Sequence, residues 1–468
     1  MEVPKNNFCI RPAARPCLKD WVVYHAITNY LGIKADSKLL PCVYSMRLNP
    51  KTGTLEHGTV QWRRFEEAFW ADFDKEPRWV IKTDITSYYA NINLIKLREI
   101  IQGLFEDSEE CQALINFLFQ YLLFPWAREQ GNSGFGIPQG INASSVLGNL
   151  FLHHIDAILS RTKGTTYMRY VDDIRILANS EPEAKIALKI LDSQLREHGL
   201  DINPAKTKIY SPEEVEKELR DHRKKDLDLI GDMLQSRSRM LVEKGAIPLL
   251  RVVFEESFAP NNAYGERHLK FALYRFIRLR DHLASDKVFV TEITEKLLRR
   301  IESLPELIDW FSRFFSAYPS NSTKAKLIEF LKSQANIYEW QEMWVLDTLL
   351  RFPPFEQDDL EVFEKIAFDR NRHPLCRAKA ILLLGKYGDN HVRHRLASEY
   401  NSELDPLIRR AILIGTQELP RSERNPFYGR VKGVEPEQGP TINFLKSRRK
   451  PIYFDDYIPP SIPIEGPY

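Results

Sequence analysis

The chain has 468 residues, 43% of them hydrophobic and 28% charged, with a mean hydropathy of −0.38, which excludes a disordered protein and leaves room for two to three domains. Its formal net charge of +2 is a balance of local excesses, basic at 217–225 (KELRDHRKK) and 445–450 (LKSRRK), acidic at 355–364 (FEQDDLEVFE). Five cysteines (Cys9, Cys17, Cys42, Cys111, Cys376) with no CxxC pair argue against a disulfide framework or a zinc site. Neither a secretion signal nor a run of about 18 apolar residues is visible, so the expectation is a cytoplasmic chain with no membrane partner.

In chain order, 17–32 has apolar positions at helical spacing and closes on a glycine, which predicts a helix. Residues 39–65 read as a strand and a turn, punctuated by NPKTG. RWVIKTDI (78–85) alternates and predicts a strand ending near Asp84, and 94–125 predicts two helices. A glycine-rich loop (GFGIPQGINASS, 134–145) leads into an amphipathic helix over 146–160. A hairpin follows at 165–178, then a helix at 182–198 and a turn, HGLDINPAKTKIY (198–210). Beyond about 240 only helical patterns remain, with a loose repeat between HPLCRAKAILLLGKYGD at 373 and DPLIRRAILIGTQELPR at 405. Stacked helix pairs of the HEAT kind, or a plain helical bundle, would give this pattern. The tail, 451–468, is proline-rich and expected to be extended.

The tip of the hairpin, MRYVDDIRI, sets Asp172 and Asp173 side by side. An ordinary turn explains adjacent aspartates; so does a metal site. Nucleotide transfer to a primer hydroxyl uses two divalent cations roughly 3.5–4 Å apart, held by hard carboxylate oxygens beside triphosphate oxygens. Asp84, at a strand end upstream, is the natural third carboxylate.

The order of segments resembles the reverse transcriptases. KTDITSYYANI (82–92) is similar to polymerase motif A, GIPQGINASSVLGNLFLHHID (136–156) to motif B, YMRYVDDI (167–174) to motif C and HGLDINPAKTKI (198–209) to motif D. The resemblance implies that Asp84, Asp172 and Asp173 are the catalytic, metal-ligating residues, for two Mg²⁺ with Mn²⁺ as a substitute. It implies an aromatic gate at Tyr89 that excludes a 2′-hydroxyl, and a nucleotide- and template-facing loop at Gln139 and Gly140. Lys206, preferred over Lys208, would act on the departing pyrophosphate, and Arg47 would present a cation to the triphosphate. Gly148 and Asn149 read as helix packing, His153 and His154 as structural.

The fold class expected is therefore α+β: a right-hand polymerase palm and fingers over 1–235, an all-α thumb and HEAT-like repeat domain over 236–430, and a proline-rich tail over 431–468. The helical region in place of an RNase H or integrase pattern resembles the prokaryotic antiphage-defence reverse transcriptases of the abortive-infection type. That implies dNTPs, an RNA template such as a cognate non-coding RNA, a DNA product and a homo-oligomer. Two alternatives stand beside it. One is template-independent or protein-primed synthesis, with Tyr453, Tyr457 or Tyr468 as primer; the other is a catalytically vestigial nucleic-acid-binding scaffold.

Overall fold

In the computed structural model the described residues are 1–453, apart from 6, 7, 13–15, 50, 130, 132, 133, 237, 261, 263, 285 and 353. The expectation for Tyr457 and Tyr468 lies outside them. The chain divides into two compact units, one of residues 13–222 and one that joins 1–12 to the residues from 223 onward. The division falls earlier than the expected boundary at 235. The first residues also belong with the helical unit, where β1 (Glu2–Pro4) and β2 (Ile10–Pro12) form an antiparallel ribbon.

The 13–222 unit is built on one four-stranded antiparallel sheet. Its strands are β3 (Trp79–Asp84), β4 (Thr165–Tyr170), β5 (Asp173–Ala178) and β6 (Lys208–Tyr210), in the order β4-β5-β3-β6. Strict alternation sorts the side chains into two faces. Val80, Met168 and Leu177 face one way and pack against Phe65, Phe69 and Phe73 of α2 (Gly58–Lys75). Ile81, Tyr167, Ile174 and Ile176 face the other way. They join a larger core with α1 (Leu18–Ala35), α4 (Leu94–Leu104), α5 (Glu109–Leu118), α7 (Asn142–Phe151), α8 (His153–Leu159) and α9 (Glu181–Glu197). The short α3 (Tyr88–Asn91) follows the end of β3, and α6 (Phe124–Glu129) precedes the glycine-rich loop.

Helix α2 corrects the expectation of strand and turn over 39–65. The signal was present: Gln61, Phe65, Phe69 and Phe73 recur every four residues and all are buried. The segment before it supplies only isolated bridges, Val43 to Arg169 and Leu48 to Leu55.

The other unit is helical apart from its ribbon among the described residues. Helices Glu339–Leu349, Pro374–Tyr387 and Pro406–Gly415 pack in succession, each on the next. The last two cross so closely that a β-carbon on Gly385 would collide with the backbone of Gly415. Tyr453 is buried. Its hydroxyl lies 2.9 Å from Gly385 O and 2.8 Å from Glu418 Oε1, its one proton shared between the two acceptors, which pins residue 453 to this stack.

Candidate active site at the β4–β5 turn

Register fixes two of the acidic residues. Asp84 ends β3 and Asp173 begins β5, and the two are cross-strand partners on the same sheet face. Tyr170 pairs with Asp173, which leaves Val171 and Asp172 as a two-residue hairpin loop. Val171 has φ 55°, so the first loop residue is left-handed, where hairpins of this length favour glycine. The geometry brings Asp84, Asp172 and Asp173 together.

Their electrostatics bear this out. Burial raises the Asp172 carboxyl to about 6, and the charges of Asp84 and Asp173 add to the shift while Lys206 opposes it. Asp173 is also raised, first by burial, with Arg175 and Lys82 working against it. Its Oδ1 is buried and accepts no hydrogen bond. Arg175 lies inboard of it, Nε 4.0 Å from that oxygen. The Arg175 guanidinium is stacked 4.6 Å from the Phe65 and Phe69 ring centres and paired with Glu66 (2.5 Å). Sequence reasoning missed Arg175 because its partners lie on α2, a helix not foreseen.

Lys206 sits on a one-turn 3-10 helix, Pro204–Lys206, capped by the Asn203 side chain, and Asn203 N donates to Asp84 O (2.7 Å). Its Nζ is 2.9 Å from Asp84 Oδ2 and the side chain is largely exposed. Lys208 instead pairs with Glu214 (3.3 Å) and Glu218 (2.7 Å), so of the two lysines it is Lys206 that reaches Asp84.

Tyr88 and Tyr89 enter on α3, after Ser87 turns the chain at φ 46°. Tyr88 is buried and donates to Gly148 O. Tyr89 is partly exposed, with its hydroxyl 2.9 Å from Ser145 Oγ and pushed up to about 12 by burial. A β-carbon on Gly148 would lie 3.1 Å from the Tyr88 ring and 3.4 Å from the Tyr89 ring, so Gly148 serves helix packing. Ser145 is a second residue that sequence reasoning did not single out. The glycine-rich loop is held beside α3, because Ile137 N donates to Tyr89 O (3.0 Å) and Gly136 N to Ile92 O (2.9 Å). Gln139 follows in a turn with Gly140, which is exposed at φ 84° with open space where a side chain would be. His153 is half-buried and its imidazole pKa is lowered by that burial; His154 stacks on His198 at 6.2 Å.

Arg47 is engaged within its own segment. Its guanidinium pairs with Asp36 Oδ1 (3.0 Å) and donates to Leu40 O (3.0 Å) and Asp36 O (3.3 Å). It braces the 36–48 segment, and its donors are taken up by its own loop.

Among the described residues no three His, Cys, Asp or Glu side chains converge as a ready-made metal cage. The donor set nonetheless fits a hard divalent cation. Asp173 Oδ1 is an orphaned buried acceptor, Asp172 is a desolvated carboxylate, and Asp84 is paired with an exposed lysine. Mg²⁺ is commonly held by one or two carboxylates with phosphate oxygens of the substrate completing the shell.

The small antiparallel sheet thus carries acidic residues at one hairpin turn and at an adjacent strand end, with an aromatic and a lysine beside them. Residues 29–232, somewhat under half of the chain, match the family model described as reverse transcriptase (RNA-dependent DNA polymerase). A telomerase reverse transcriptase of Takifugu rubripes is 28% identical over 116 residues, covering 24% of this chain and 11% of the telomerase. Among solved structures, the telomerase of Candida albicans with the TWJ fragment of telomeric RNA is similar at 13% identity and a TM-score of 0.31, over 69% of this chain and 58% of that one. Apo telomerase of Candida tropicalis is similar at 10% identity and a TM-score of 0.32, over 91% and 61%. The chain thus spans about a tenth of that curated relative and about three-fifths of those two structures.

Proposed function

We propose that the chain is an RNA-directed DNA polymerase that adds deoxynucleotides at the β4–β5 turn. The observation that carries this reading is the meeting of Asp84, Asp172 and Asp173 with Lys206 on Asp84, inside the segment that matches the reverse transcriptase family. Asp84 and Asp172, supported by Asp173, would hold two Mg²⁺, and Mn²⁺ would substitute. When bound, the cations lower the pKa of the primer hydroxyl and neutralise the triphosphate. Released from Asp84, Lys206 turns its ammonium to the departing pyrophosphate and can give it a proton. The Tyr89 ring, tethered by Ser145, walls off the ribose 2′ position. Gln139 and Gly140 offer an amide and an open backbone to the nucleotide and template.

We place this activity in antiphage defence, in the cytoplasm, with a cognate RNA as template and an oligomer as the working form. The support is the pairing of the polymerase unit with a successive helical stack of the kind HEAT-like domains use. A vestigial scaffold is the weaker reading, because it gives no reason to keep desolvated carboxylates together. Protein priming through Tyr453 is disfavoured by the burial and double hydrogen bond of its hydroxyl.

The test is incubation of the full chain with Mg²⁺ and labelled dNTPs, with and without a primed RNA, followed by sequencing of the product. Product complementary to the RNA is expected. Product of unrelated sequence would move the reading to untemplated synthesis, and no product at all would defeat both polymerase readings.

A further inference from the structure

The loop that carries Asp172 is held in a conformation its sequence does not favour. Val171 is β-branched, yet its φ is 55°, a region such residues avoid. Both of its backbone polar groups are engaged. Its N–H donates to Ser45 Oγ (2.9 Å), and its carbonyl accepts from Arg169 Nη1 (2.9 Å).

Those two partners belong to one buried network. Ser45 Oγ donates to Asn149 Oδ1 (2.9 Å), Asn149 Nδ2 donates back to Ser45 O, and Arg169 Nη1 donates to Asn149 Oδ1 (2.9 Å). Arg169 grips Asp156 with both arms of its fork, Nε to Oδ1 at 2.8 Å and Nη2 to Oδ2 at 2.6 Å, and Tyr167 donates to the same carboxylate (2.9 Å). Ser45, Asp156 and Arg169 are fully buried and Asn149 nearly so. Backbone pairing delivers Ser45 to this place, because Arg169 N donates to Cys42 O (2.8 Å) and Tyr44 N to Arg169 O (2.9 Å).

Three segments distant in sequence (42–48, α7 with α8, and β4) therefore contribute fixed donors and acceptors, and these converge on the two peptide units on either side of Val171, the residue before Asp172. A bidentate Arg–carboxylate pair fixes direction as well as charge, so the fork orients Asn149 and Asn149 orients Ser45. Asn149 is then more than a packing residue of α7.

We infer that Ser45, Asn149, Asp156 and Arg169 are positioning residues that lock the Val171–Asp172 turn in its left-handed form and so fix the direction of the Asp172 carboxylate. The consequence for catalysis rests on the polymerase reading; the lock itself does not. Removing the Ser45 hydroxyl takes the acceptor from the part-buried Val171 N–H and lets the turn relax. Glycine at 171 adopts a positive φ without help and makes the lock dispensable.

The experiment compares Ser45→Ala with Ser45→Ala/Val171→Gly in the full chain, reading kcat and KM for dNTP and the hydrogen exchange of the Val171 amide. Ser45→Ala is expected to lower kcat about tenfold, to leave KM within about twofold, and to speed Val171 exchange by about tenfold. Adding Val171→Gly is expected to return kcat to within about threefold of wild type, a rescue that a general packing role for Ser45 would not give. Wild-type kcat and exchange in Ser45→Ala, or a double variant no better than the single one, would overturn the inference. Should Ser45→Ala fail to fold, Ser45→Cys, with a weaker acceptor of similar size, is read the same way. A wild-type chain that incorporates no nucleotide defeats the polymerase reading, and the Val171 exchange rate still decides the lock.

Discussion

The two units treat backbone strain and buried charge in opposite ways. In the 13–222 unit, the left-handed residues other than glycine among those described are Met46, Ser87 and Val171, and Val171 directly precedes Asp172. In the helical unit Phe8 is the one residue with positive φ among those described, and it lies between β1 and β2. Buried ion pairs occur in both. Arg169–Asp156 leads through Asn149 and Ser45 to a strained turn at the site. The buried Arg377–Glu403 pair, with the partly buried Arg393–Glu418 and Arg409–Glu435, instead ties one helix of the stack to the end or the start of another. The same chemistry specifies a site in one unit and a stack in the other. Strain that survives only because its surroundings over-determine it marks where function is concentrated.

Breaking the site should leave the fold and remove the activity. Asp84→Asn is expected to lower the rate of incorporation on the order of 10³-fold, since several kcal/mol of charge stabilisation depend on that carboxylate. Its melting temperature should not fall, because no buried partner is stranded. Breaking the stack should do the reverse. Arg377→Met leaves Glu403 buried and unpaired and should cost about 3–5 kcal/mol of stability by chemical denaturation. At temperatures where the variant is folded, KM for dNTP should be unchanged. An Arg377→Met/Glu403→Leu pair should recover most of that loss.

Smaller effects sharpen the assignment within the site. Lys206→Ala should reduce kcat about 10²-fold, the range for loss of a general acid, while Lys208→Ala should stay within about threefold because its ammonium is held by Glu214 and Glu218. Equal losses in the two would remove the reason for choosing Lys206. Tyr89→Ala should narrow the preference for dNTP over rNTP by about tenfold, read as the ratio of kcat/KM values.

Much of the site could be read from the sequence, because its parts are local. The hairpin expected over 165–178 is β4 and β5 to the residue, Asp84 ends its strand, and the turn of 198–210 delivers Lys206. What could not be read is what depends on long-range pairing. Arg169 looks like any strand residue until α8 brings Asp156 to it, and Ser45 has no local signal at all. Helix α2 was missed because its opening, GTVQW, has the β-branched and aromatic content of a strand, although the periodicity of its phenylalanines points to a helix. A cation beside a polymerase motif suggests phosphate, whereas the donors of Arg47 are met by carbonyls and Asp36 in its own segment. The joining of residues 1–12 to the helical unit likewise depends on contacts far along the chain, such as Tyr338 donating to Phe8 O (3.0 Å).

The most direct test of the account is single-nucleotide addition to a primed RNA template by rapid quench in Mg²⁺, comparing the wild-type chain with Asp172→Asn/Asp173→Asn. The account predicts addition of the template-matched dNTP by the wild type and none above background by the folded double variant. Addition by that variant at a wild-type rate would contradict it.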